Sequence, residues 1–246
     1  QTKPYEENIL KDIFPLTYEY LLNFKDELIA KKIKYKTNPI YWYSLHRARD
    51  LNLINQEKIL TPDISYKSNM SLDNLNSCHI GQYNLIKKNN IEENHKFYLS
   101  ILNSQLMWFC IKNTSNEFRG GFFVYQTNFL EPFPLPKLEN LEQQNPFIEK
   151  ADLMLELNKK LQELKQNFYD ELKLEKLTNK LQKFEELEFD DFIKEYTKSK
   201  KIKFADKLEE RNFKNDWKAL FENDKKEVLE IQNQINITDK EIDQMV

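Results

Sequence analysis

Three prolines within five residues, Pro132, Pro134 and Pro136, divide this 246-residue chain into stretches with different rules of construction. Proline fixes its own φ and carries no amide hydrogen, so the segment EPFPLPKL (131 to 138) continues neither a helix nor a central strand. Beyond it, apolar residues recur at threes and fours: Leu153, Leu157, Leu161, Leu164, Phe168, Leu172, then Leu174, Leu177, Leu181 and Phe184. That spacing predicts a long helix or coiled-coil arm from Phe147 to Leu187. A second helical pattern runs from Phe213 through Trp217, Leu220, Phe221, Val228 and Ile231 to Ile235. The two are expected to pair as an antiparallel hairpin, with the lysine-rich stretch Lys198 to Lys203 in the connection. An ordinary amphipathic pair packed on the first half satisfies the same spacing.

Ahead of the prolines the patterns are shorter. Thr17 to Lys32 reads as one amphipathic helix capped by Thr17, with Tyr20, Leu21, Phe24, Leu28 and Ile29 on one face. Lys34 to Ser65 is aromatic and basic and is broken by Pro39 and Pro62, as expected of short strands and loops. His79 to Ile86 alternates as a strand, with Gly81 offering a bulge. Lys96 to Ile111 is apolar almost all round and predicts a buried helix; Trp108, Phe109 and Phe24 are expected in the core. Gly120 and Gly121 precede a strand at Phe122 to Tyr125. The fold class expected is α+β: a mixed or antiparallel sheet domain over residues 1–138, followed by a helical, coiled-coil-like extension over 139–246.

Composition narrows the chemistry. Forty per cent of residues are hydrophobic, so the chain folds although 31% are charged. Through Leu138 there are 17 Lys and Arg against 14 Asp and Glu, a net +3; the remainder carries a net −6. Phosphate attraction acts within about a Debye length, roughly 10 Å at 0.1 M salt, so a mildly basic first half is compatible with nucleic acid despite an acidic second half. Cys78 and Cys110 form no Cys-x-x-Cys pair, which argues against a disulfide framework or zinc ribbon and fits a reducing cytoplasm. The longest unbroken apolar run, Leu106 to Ile111, is far too short to span a bilayer. The chain opens at Gln1 without methionine and closes at Val246 inside a helical pattern, which reads as a piece of a longer polypeptide.

Catalytic signatures are scarce. With only Gly81, Gly120 and Gly121 available, neither a phosphate-cradling loop nor a dinucleotide fingerprint can be written. His46, His79 and His95 are isolated from one another, without the spacing of metal ligands on one helix or hairpin. Asn38-Pro39-Ile40-Tyr41 approaches the Asn-Pro-Pro-Tyr loop with which amino-methyltransferases grip adenine, but it lacks the second proline and reads as a turn. Pro62-Asp63 resembles the start of a metal-dependent nuclease signature, yet its partner would be Glu171 to Lys173 in a distant helix. A turn accounts for it better.

The run ILNSQLMWFCIKN (101 to 113) followed by EFRGGFFVYQTNFLEPFPLP (117 to 136) resembles the TaqI-like C-terminal specificity domain of type IIG restriction-modification enzymes and related adenine DNA methyltransferases. The resemblance rests on a Leu-Asn-Ser element in an apolar helix, then Arg-Gly-Gly-aromatic, then a proline-punctuated exit. PLTYEYLLNFKDEL (15 to 28), WYSLHRARD (42 to 50), KILTPDIS (58 to 65) and HIGQYNLI (79 to 86) agree with it. So do IEKADLMLELNKKLQEL (148 to 164) and DKEIDQMV (239 to 246). The likeness implies a non-catalytic, bacterial, cytoplasmic module that recognises double-stranded DNA. Methylation and cleavage would belong to other domains of the parent chain, its methyltransferase domain being the intramolecular partner. S-adenosylmethionine, and magnesium where the parent also cuts, would be bound there; this module would hold no cofactor, metal or small-molecule substrate. A helical protein-interaction module similar to type I specificity subunits is the alternative.

Base edges are read by Arg, Lys, Asn and Gln, while phosphate contacts set register. Arg47, Arg49, Gln82, Arg119 and Gln126 are therefore candidates for base contacts, and Lys34, Lys36, Lys87 and Lys88 for phosphates. Tyr43, Tyr83 and Tyr125 suit stacking or phosphate binding. Gly120 and Gly121 provide turn geometry or close approach to a phosphate. Each has a plainer use: Arg119 as a backbone clamp, Arg47 and Arg49 in surface pairs with Asp50 or Glu57.

Overall fold

The computed structural model describes residues 4–36, 41–44, 51–77 and 83–246. It begins with three short helices, α1 (Glu7–Ile13), α2 (Pro15–Leu22) and α3 (Lys25–Lys34). The single helix expected from Thr17 is two. Pro15 starts α2 at its first turn, which places Thr17 inside rather than at the cap. The chain then breaks at Asn23 and Phe24 before α3. Tyr18 is the buried residue of α2; its hydroxyl donates to Glu7 at 2.7 Å, and the Trp42 indole donates to the same oxygen at 3.1 Å. Phe24 is exposed, contrary to its expected core position.

After α4 (Leu51–Ile54) come β1 (Lys58–Thr61), β2 (Ile64–Ser65), β3 (Ser71–Asp73) and β4 (Tyr83–Leu85). Strand β1 is central in an antiparallel sheet of order β3-β1-β4. Pro62-Asp63 turns the chain out of this sheet into β2, which joins β6 (Phe122–Val124) and β5 (Glu117–Arg119) in a second antiparallel sheet, order β2-β6-β5. The Tyr125 amide donates to the Asp63 carbonyl at 2.8 Å and ties the corner to the end of β6. The turn reading of Pro62-Asp63 thus has a visible structural role. Lys58 faces Asp73 directly across the β1–β3 ladder, and the two form a buried ion pair.

The apolar run after Lys96 forms two helices, α5 (His95–Leu102) and α6 (Gln105–Thr114). They are parted by Asn103 and Ser104. Ser104 caps α6 by accepting from the Met107 amide, while Asn103 accepts from the Met70 amide at 2.7 Å and donates to the Met70 carbonyl at 3.0 Å. The break turns Ile101, Met107 and Ile111 into the core with Ile59, Phe97, Phe123 and Phe133, and leaves Phe109 on the surface. Phe109 is thus a second misplaced core expectation. A one-turn α7 (Thr127–Leu130) leads into the proline segment, whose Phe133 anchors it.

Helix α8 (Asn145–Leu172) stops at Lys173, in the left-handed conformation, well short of the expected Leu187. A 3-10 turn at Leu181–Glu186 and α9 (Phe189–Lys200) follow, then α10 (Lys207–Met245). Helices α8 and α10 lie antiparallel: Lys150 pairs with Glu241 at 2.6 Å, and Phe168 meets Phe221 with ring centres 6.3 Å apart. On α10, buried Phe221, Val228, Ile231, Thr238 and Ile242 repeat at sevens, threes and fours. The connection is more than a lysine-rich loop, because α9 brings Phe192, Ile193 and Tyr196 onto Phe168, Leu172, Phe184 and Phe221 as a second core. Phe147 joins the first core and Met245 packs against it, which roots the helical pair in the first half. Asp243 accepts from the Gln105 amide at the start of α6.

Candidate nucleic-acid interface

Arg119, Gly120 and Gly121 form the tip between β5 and β6. Arg119 pairs with Phe122 across the ladder, and both glycines have positive φ, +62° and +82°. Two consecutive left-handed residues make the tight turn whose twist matches antiparallel strands, so the glycines serve hairpin geometry. A side chain at Gly120 would meet open space, whereas one at Gly121 would lie 3.1 Å from the Tyr66 ring. Glu117 accepts from the Gly121 amide at 3.0 Å. Among the described residues the Arg119 side chain has no hydrogen bond or ion pair, and the residue is exposed. The alternative use of this arginine, as a clamp on backbone carbonyls, has no side-chain hydrogen bond behind it among the described residues.

Around that tip lies an aromatic surface that sequence reasoning passed over. Phe118 is 66% exposed, and Tyr66 packs against Phe122 with ring centres 5.8 Å apart while remaining 61% exposed. The signal was present in the alternation of β6: Phe123 and Tyr125 face inward, so Phe122 must face out. The same alternation corrects Tyr125. It is fully buried in the core, its hydroxyl lies 3.5 Å from Ser68 Oγ, and burial raises its pKa, so its ring is not at the surface to stack on a base. Gln126 follows it at the N-terminal cap of α7 and is exposed.

A second group gathers at β4 and the loop after it. Tyr83, Lys87 and Lys88 line a cavity of about 660 Å³. Lys88 is exposed, whereas Lys87 is half-buried and donates to the Glu93 carbonyl at 2.6 Å. The third group sits on the first helices. Lys34 is exposed and lies 5.5 Å from the Tyr35 ring; Lys36, in the left-handed conformation, follows the end of α3. Tyr43 stacks on Tyr41 at 5.2 Å and donates to the Tyr5 carbonyl at 2.5 Å; burial, then Tyr41, raises its pKa. Its hydroxyl is therefore engaged within the protein, and its ring also meets Trp42 at a right angle with centres 5.3 Å apart. Arg47, Arg49 and Gln82 lie outside the described residues, as do residues 38–40 of the Asn-Pro-Ile-Tyr turn and Gly81. Among the described residues no three His, Cys, Asp or Glu side chains converge as metal ligands, and no helix is long and apolar enough to cross a membrane.

A family model for the TaqI-like C-terminal specificity domain matches residues 7–135, just over half of the chain. The chain belongs to that family. The specificity domain's role is DNA recognition in restriction-modification. Its match runs from α1 to the proline segment and so includes the Arg119 hairpin, the β4 edge and the Asn103 clamp. Residues 140–246 match a second family, described as a domain of unknown function (DUF8810), which takes in α8 to α10. No curated protein matches the chain.

Proposed function

We propose that this specificity domain selects the DNA sequence for a type IIG restriction-modification enzyme that methylates adenine through another domain of the same parent chain. S-adenosylmethionine would belong to that domain, since the described residues here offer neither a glycine-rich cradle nor a catalytic constellation. One observation supports the reading above others: the family's Arg-Gly-Gly element raises an exposed, unpartnered arginine on a narrow hairpin beside aromatic rings. A fork of guanidinium donors held this way fits the two acceptors of guanine in the major groove. Lys34, Lys36 and Lys88, all exposed, supply phosphate contacts.

If Arg119 and these three lysines each neutralise a phosphate or equivalent charge, the salt slope is about −0.9 per contact, or roughly −3.6 in all. Affinity for duplex DNA then falls about 150-fold between 50 and 200 mM salt. Fluorescence anisotropy on a random duplex library measures this. Arg119→Ala is expected to reduce sequence preference more than Lys88→Ala, which weakens all sequences alike. Binding indifferent to salt, or its absence at every salt concentration, would count decisively against the reading.

A further inference from the structure

The hairpin of β5 and β6 carries an aromatic ring that neither the core nor the turn accounts for. Across the ladder Glu117 faces Phe123 and Arg119 faces Phe122, so three residues of β5 span two of β6, and Phe118 is the residue without a partner. An extra residue of this kind bends its strand and re-aims a side chain. Phe118 is 66% exposed, and its ring meets no other aromatic ring among the described residues. Strand β5 is at the edge of its sheet, and Glu117, Phe118 and Arg119 are all exposed, so the strand stands clear of both cores.

Single exposed apolar side chains are common and need no explanation. The surroundings of this one set it apart. Phe118 lies one residue before Arg119, whose side chain is unpaired, and two before the Gly120-Gly121 turn, which has open space beyond Gly120. The Glu117 carboxylate accepts from the Gly121 amide at 3.0 Å, which turns the strand's acidic group onto the turn backbone. A protein partner would need a continuous apolar face, whereas charged residues flank this ring on both sides. A stack of base pairs needs only the ring, with a cation beside it. The spacing also fits: successive strand residues advance by about 3.4 Å, which is roughly the rise from one base pair to the next. A two-stranded ribbon enters the major groove, so with Arg119 at the edge of one base pair Phe118 reaches the neighbouring step.

We propose that Phe118 is a wedge that enters the base stack of bound DNA beside the base pair met by Arg119. The proposal rests on the DNA-recognition reading of the hairpin and adds to it a residue that selects by deformability, with no hydrogen bond to either base. Apolar side chains, phenylalanine among them, part neighbouring base pairs in this way, and the pyrimidine–purine steps TA and CA/TG part most readily. The ring therefore favours such a step at a fixed distance from the Arg119 contact.

The test starts with the intact chain and a random duplex library, from which bound duplexes are selected and sequenced. A TA or CA/TG step is expected at one fixed position, preferred about fivefold over other steps. Both steps contain an adenine, so a selected duplex is remade with 2-aminopurine, which brightens when unstacked, in place of each adenine in turn. Binding of the chain is expected to brighten the probe at that step by about twofold or more. Phe118→Ala is expected to lose both the brightening and the step preference, and Phe118→Trp, which keeps a flat apolar ring, to keep both. Should Phe118→Ala fail to fold, Phe118→Gln, which has similar reach but no ring, takes its place. No brightening at any adenine of the selected duplexes, or a brightening and preference that survive loss of the ring, overturns the wedge and leaves DNA recognition standing. A chain that binds no duplex at any salt concentration overturns the DNA-recognition reading and the wedge with it.

Discussion

Replacing Asp73 strands a positive charge in the first core. Lys58 is fully buried, and besides Asp73 its ammonium has the Ile54 carbonyl, at 2.7 Å. Removing one partner of a buried ion pair costs about 3 to 5 kcal/mol, because the remaining charge stays desolvated. At roughly 2 to 4 °C per kcal/mol for a chain of this size, the Tm of Asp73→Asn is expected to fall by about 6 to 20 °C. Asp73 accepts the Leu75 amide on Oδ1 at 3.0 Å and the Ser77 amide on Oδ2 at 2.9 Å, so asparagine keeps an acceptor for one of them only and the loss includes that bond as well as the stranded charge. Adding Lys58→Met removes the stranded ammonium, and the double variant is expected to recover more than half the loss. Burial tends to raise the Asp73 pKa, but hydrogen bonds from Lys58, Leu75 and Ser77 outweigh it and hold the carboxyl below its ordinary value. Its stabilisation is complete above the unfolded pKa of about 3.9 and drains away as pH falls through the lower folded value. Urea denaturation of the parent, both single variants and the double variant, at neutral and acidic pH, measures all of this. Equal stability of Asp73→Asn and the double variant, or a loss below about 1 kcal/mol, refutes the reasoning.

At the hairpin tip, Gly121→Ala combines a left-handed backbone with a close contact to Tyr66 and is expected to lose about 1 to 2 kcal/mol in thermal melts. Gly120→Asn, with open space and a residue that tolerates positive φ, is expected to lose less than about 0.5 kcal/mol and to retain DNA binding. Asn103→Ala leaves both polar groups of Met70 without their partner and is expected to cost about 2 kcal/mol or more; Asn103→Asp, which keeps the acceptor alone, falls between.

Much of the architecture was legible because periodicity survives tertiary packing. The Phe122 strand and the apolar faces of α8 and α10 are where their spacing places them. What was missed depends on single residues interrupting a continuous pattern. The apolar run from Lys96 to Ile111 holds one period only to Leu102; Asn103 and Ser104 then break it because their side chains have better partners in the backbone of Met70 and Met107. The Asn-Ser pair was a visible capping signal submerged in a hydrophobic run. Helix α9 escaped because Lys194, Lys198 and Lys200 mask the Phe192–Ile193–Tyr196 stripe that joins the second core. At the site, Arg119 and its glycines could be read from the order of residues alone. Tyr66 could not, because its place beside Phe122 depends on the pairing of β2 with β6.

The helical extension leaves and rejoins the recognition half near the start of α8 and the end of α10, where Lys150 pairs with Glu241 and Asp243 accepts from the Gln105 amide. Its far end, clustered on Phe168 and Phe221, stands about 32 Å along α8 from that root. Seven residues inserted into each helix at matching points would carry the distal cluster outward by about 10 Å and leave the root untouched, whereas an insertion in one helix alone would throw the seam out of phase. Matched additions to α8 and α10 would therefore lengthen the extension while leaving the packing of the first half as it is.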